Sequence, residues 1–116
     1  MIRTPIHHEE TKELLGYVAK DTTGWQAQTI FGYPIERVLS ETDAEAILRE
    51  KGLSYLMGIW QYFDTDDRAW YPCVIKEAME RRVAVIRTNE MGYQDPDTYK
   101  LVFLDSPDEN MLVKSA

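Results

Sequence analysis

The 116-residue chain holds a single cysteine, Cys73, so it can form no internal disulfide, and a lone thiol fits a reducing compartment. Long hydrophobic runs are missing too. No apolar stretch approaches the roughly 18 residues that a membrane helix needs, and no run of signal-peptide character follows Met1. Basic charge is scarce: Lys and Arg number 13 against 20 Asp and Glu, a net charge of −7. The tightest basic grouping, Lys76, Arg81, Arg82 and Arg87, is interrupted by Glu77 and Glu80. Broad affinity for phosphate backbones comes from clustered cations that displace counterions, so direct nucleic-acid binding is not expected. The segments around Gly16, Gly24 and Gly32 lack the spacing of a phosphate-cradling loop between a strand and a helix. Repeats, low-complexity tracts and enzyme motifs of high specificity are missing as well. These absences lead us to expect a cytoplasmic protein that uses no metal and no other cofactor.

What is present suits an ordinary globular core, with 44% hydrophobic and 11% aromatic residues. Residues 1–116 read as a single domain, with a hairpin-and-helix subregion over 1–56, a β-meander over 57–105 and a tail over 106–116. The expected fold class is α+β, mainly β: antiparallel hairpins with one short helix. Ile2 to Ile6 alternates like a strand, and Glu13 to Lys20 is an apolar run whose Gly16 suits a bend or a close backbone approach. Asp21-Thr22-Thr23-Gly24 is a turn cluster. Trp25, Ala27, Thr29 and Phe31 then lie on one face of a strand, with Gln26 and Gln28 on a wet face, and Ile35 to Leu39 forms another strand.

A helix is expected over about 42–51. Ser40-Glu41-Thr42-Asp43 supplies N-cap candidates, Thr42 and Glu45 have capping-box spacing, Ala44, Ile47 and Leu48 make an apolar stripe, and Gly52 suits the position after the helix. Gly58 to Asp64 and Ala69 to Lys76 read as strands joined by a polar turn. Lys76 to Arg81 has helical propensity, but the β-branched run Val83 to Ile86 favours a hairpin that turns at residues 79–82. A loop over 89–97 and a strand over 99–104 complete the meander, and Met111, Leu112 and Val113 can dock the tail.

Trp70-Tyr71-Pro72 opening a strand after an acidic turn, then Val74-Ile75-Lys76-Glu77, a short turn and Val83-Ala84-Val85-Ile86, resembles the first strands of Tudor and related SH3-like small barrels. The resemblance covers about residues 57–105, and no Tudor-like continuation follows at Thr88 to Asp97. It implies an aromatic cage for a methylated Lys or Arg, built from Trp60, Tyr62, Trp70 and Tyr71, with Asp64, Asp66 or Asp67 meeting the cation. Alternation along a strand also implies that about half of these rings point into the core.

Other chemistry is thinly represented. His7 and His8 are adjacent rather than at the i, i+4 spacing of a zinc-binding helix, which reads as a solvated loop. Asp64 to Arg68 begins like a calcium loop, yet Ile75 stands where the bidentate glutamate belongs and the required glycine is absent. Cys73 among strand residues reads as a small buried hydrophobe. Acidic residues recur at proposed turns, near Trp60, Trp70, Tyr93 and Tyr99. The expected function is a non-enzymatic interaction module that binds a basic protein or peptide through acidic tips and aromatics, with Tyr93 added to the seven cage residues. One alternative is an acidic mimic of nucleic acid that inhibits a DNA- or RNA-binding protein. Another is a small hydrolase or isomerase using Cys73 or a histidine with a carboxylate.

Overall fold

A computed structural model of the chain describes residues 2–94 and 100–115. Among the described residues the protein is mostly β, in two antiparallel sheets with one α-helix. Two compact units divide it, Met1–Leu56 and Met57–Ala116. Among the described residues no helix is long and apolar enough to cross a membrane.

In the first unit β1 (Arg3–His7), β2 (Leu14–Lys20), β3 (Trp25–Gln28) and β4 (Pro34–Val38) form an antiparallel meander in that order. The turn after β2 closes on Asp21, whose carboxylate accepts the backbone N–H groups of Thr23 at 2.8 Å and Gly24 at 2.9 Å. The third strand stops short of the expected residue 31. Thr29 turns the chain instead, its hydroxyl oxygen accepting from the Tyr33 N–H at 3.0 Å. Gln28, expected on a wet face, is buried. Its amide donates to Gln26 Oε1 at 2.8 Å, which offsets part of the cost of burying it.

The helix α1 (Glu41–Lys51) packs across β2, β3 and β4. Its Ala44 and Leu48 form the core together with Ile6, Leu15, Val18 and Ala27 of the strands. Its cap differs from the expected box: Ser40, in extended backbone, accepts from the Asp43 N–H at 3.1 Å, so Thr42 lies inside the first turn. Gly52 has right-handed helical backbone, and it is required by space rather than by conformation. A Cβ there would sit 2.8 Å from the Leu15 carbonyl oxygen, as one on Gly16 would sit 2.2 Å from that of Gln28.

The second unit contains β5 (Trp60–Asp64), β6 (Ala69–Ala78), β7 (Arg82–Arg87), β8 (Leu101–Asp105) and β9 (Leu112–Lys114), in the spatial order β8-β7-β6-β5-β9. The segment with helical propensity continues β6, and Met79 N–H donates to the Arg82 carbonyl at 2.8 Å to close a hairpin. The tail docks. Leu112, opposite Tyr62, is fully buried, and β9 covers the outer edge of β5. Of the expected strand over 99–104, Tyr99 lies outside the described residues, as do residues 95–97 of the expected loop over 89–97.

This sheet curls. Asp64 ends β5 and Lys100 immediately precedes β8, with β6 and β7 between them. Strands three places apart in a flat sheet stand about 14 Å from each other. Lys100 Nζ is nevertheless 2.7 Å from Asp64 Oδ2. Trp60, Tyr62, Cys73, Val83, Val85, Leu104 and Leu112 are buried on the concave side.

Candidate functional site

Asp64 gathers most of the polar chemistry of the second unit. Its Oδ1 accepts the backbone N–H groups of Asp66 at 2.9 Å and Asp67 at 3.1 Å, which shapes the turn between β5 and β6. Its Oδ2 receives Lys100 at 2.7 Å and Arg87 at 2.6 Å. These bonds hold the Asp64 carboxyl well below the usual carboxylate range, the Lys100 ammonium contributing most and the Asp67 N–H next. The same pairing raises the Lys100 ammonium above its ordinary value.

Arg87 completes the cluster. Its Nε donates to the Tyr62 hydroxyl at 2.8 Å, and its guanidinium carbon lies 3.6 Å from the centre of the Tyr71 ring. Asp67 Oδ2 is 3.8 Å from the guanidinium and accepts from the Tyr71 hydroxyl at 2.9 Å. Tyr62, Tyr71, Asp64 and Asp67 therefore come together as an aromatic and acidic cluster around a cation. The cation inside it is the chain's own Arg87. Nothing in the local sequence marks this pairing, because Arg87 reaches the cluster through register: it lies opposite Cys73, and Cys73 lies opposite Trp60.

The other expected site residues separate. Trp60 and Tyr62 point to the concave side and are fully buried, which removes both from any exposed aromatic surface. The cause is strand alternation, since residues 60, 62 and 64 share the inner face. Trp70 is directed to the opposite face, 44% exposed and 5.5 Å from the Phe63 ring. Tyr93 is exposed on a loop closed by Asn89, whose side chain accepts from the N–H groups of Met91 and Tyr93. Asp66 and Asp67 are exposed at the turn.

Sequence reading missed the cleft beside this turn. It has a volume of about 330 Å³ and is bounded by Tyr62 to Asp66, by Lys100 and Val102 to Asp105, and by Met111. Phe103 at its edge is 53% exposed. Three of its lining residues are carboxylates, Asp64, Asp66 and Asp105, against the one ammonium of Lys100. An exposed Phe inside an otherwise ordinary strand pattern is the only local sign of it. That the strand stands at the sheet edge is settled by pairing alone.

Cys73 is sealed in the sheet, and burial pushes its thiol up to about 12, so it offers no accessible thiolate near neutral pH. Both histidines are exposed, and His8 Nδ1 accepts the backbone N–H groups of Glu10 and Thr11 at 3.2 Å each, a turn-forming role. These placements remove the nucleophile that the hydrolase reading assigned to Cys73. Among the described residues no group of three or more His, Cys, Asp or Glu side chains is placed to hold a metal ion. Comparison with protein-family models, with curated proteins and with solved structures finds no match for this chain.

Proposed function

We propose that this chain is a non-enzymatic interaction module, and that the cleft of its second unit receives a basic segment of a partner protein. The observation that carries this reading is the composition of the cleft: apolar walls from Val102, Phe103 and Met111 beside Asp66, the one of its three carboxylates that no cation of the described residues pairs. Such a surface attracts a lysine or arginine side chain by its charge and packs against its methylene stem. Asp66 is the carboxylate most open to a partner, since its side chain has no hydrogen-bond or ion-pair partner among the described residues.

The Tudor and SH3-like resemblance belongs to the same proposal. A four-strand meander that curls, with a fifth strand returned beside the first, is a shape that a small barrel requires. The contact we propose differs from a methyl-cation cage, because the Arg87 guanidinium already fills the space beside Tyr71. A cytoplasmic setting, supported by the single buried thiol, is part of the reading. The nucleic-acid-mimic alternative has less support, because Asp64 and Asp105 are already paired with Lys100 and Arg82.

Calorimetric titration of the intact chain with matched lysine-rich and glutamate-rich peptides tests the proposal. Binding of the lysine-rich peptide alone is expected, weakening with salt as exposed charge pairs do. Asp66→Lys should reduce it at least about tenfold, or about 1.4 kcal/mol. Equal affinity for the two peptides, or indifference to the Asp66 reversal, would overturn it.

A further inference from the structure

Among the described residues β8 has no strand on its outer edge. Two hydrogen bonds fix which of its main-chain groups are spoken for: Arg87 N–H donates to the Lys100 carbonyl at 3.0 Å, and Ser106 N–H to the Arg81 carbonyl at 2.6 Å. Antiparallel pairing alternates between bonded and non-bonded positions. With Val85 opposite Val102 and Val83 opposite Leu104, the residues whose N–H and C=O groups face β7 are 100, 102, 104 and 106. Those of Leu101, Phe103 and Asp105 point away from the sheet, and β8 is its terminal strand among the described residues.

This row borders the cleft. Val102, Phe103, Leu104 and Asp105 all line it, and the side chains of Leu101 and Phe103 are exposed on the outer face of the strand. An unpaired edge of this kind is a template for another strand. Sheets commonly manage such an edge with an edge lysine or proline, and β8 carries neither.

We propose that the partner binds by strand addition to β8, as an extended segment that alternates apolar and basic side chains. Its backbone pairs with Leu101, Phe103 and Asp105, its apolar side chains pack beside Leu101 and Phe103, and its basic side chains, on the face shared with Val102 and Leu104, turn toward the cleft and the carboxylate of Asp66. Charge complementarity selects this occupant over a second copy of the chain, which would carry the same net charge of −7. The inference rests on the interaction-module reading, and its test separates the two.

The probe is a blocked peptide of alternating lysine and valine, about six residues long to match a strand. A second version is N-methylated on alternate amides, which keeps its charge and side chains and removes the donors. NMR of the intact chain should place the largest amide shifts at Leu101, Phe103 and Asp105, with new protection from hydrogen exchange. N-methylation should weaken binding at least about tenfold. Phe103→Pro should do the same while preserving the fold, because the lost N–H faces away from β7 and proline is tolerated on edge strands. The peptide arm stands even where that variant fails to fold. Undiminished binding of the methylated peptide would overturn strand addition and leave the basic-partner reading intact. Failure of both peptides, together with every lysine-rich peptide, would overturn both. Concentration-dependent dimerisation that shifts the β8 amides in the absence of peptide would overturn the assignment of the occupant.

Discussion

Asp64 is the residue on which most of the second unit's polar structure converges. It caps its own turn with one oxygen and holds Lys100 and Arg87 with the other, joining strands that the sheet order keeps apart. Its carboxyl is held well below the usual range, so the unfolded chain takes up this proton before the folded one does. The stability that the cluster contributes is complete above the unfolded value of about 3.9 and drains away as pH falls toward the lower folded value. Asp64→Asn should therefore lower the urea midpoint at pH 7, with the gap from the unaltered protein narrowing at pH 3. A gap that stays constant would mean that the charge is unimportant. The sequence showed Asp64 as one of several turn carboxylates, since adjacent acids look alike until strand register decides which of them points inward.

At the scale of elements, local chemistry was legible where it rests on neighbours in the chain. The turn at Asp21, the stripe of α1 and the β-branched run of β7 all formed where their spacing placed them. Of the cap candidates the structure uses Ser40, and the Thr42–Glu45 box is not formed. Ser40 and Thr42 both offer a hydroxyl, and the one used is the one whose backbone remains extended as the helix begins. Ser40→Ala should cost about 0.5–2 kcal/mol of stability by denaturant unfolding, and Thr42→Ala much less. Equal losses would return the cap to Thr42. The third strand was overextended because period-2 alternation runs on through Thr29 and Phe31, while hydrogen bonds between residues 29 and 33 turn the backbone.

At the scale of the whole molecule, the chain builds two sheets from neighbouring hairpins, and its most distant pairing in sequence within the second unit is made by the last strand. Leu112 is part of that pairing and has no exposed surface. Leu112→Ala should then cost about 2–5 kcal/mol, as for a core leucine, measured by the shift of the urea unfolding curve. A loss near zero would describe a frayed tail. The mainly β class, the single short helix and the hairpin turns were determined by the sequence alone, because period, propensity and turn chemistry act between residues a few positions apart. Only the tertiary structure decided that Arg87 lies among the rings and carboxylates of Tyr62, Tyr71, Asp64 and Asp67, that Trp60 and Tyr62 belong to the core, and that β8 borders a cleft with an edge unpaired among the described residues. The physical reason is that strand order and sheet curl bring together side chains far apart in sequence, and no local pattern of residues encodes which strand is left at the edge.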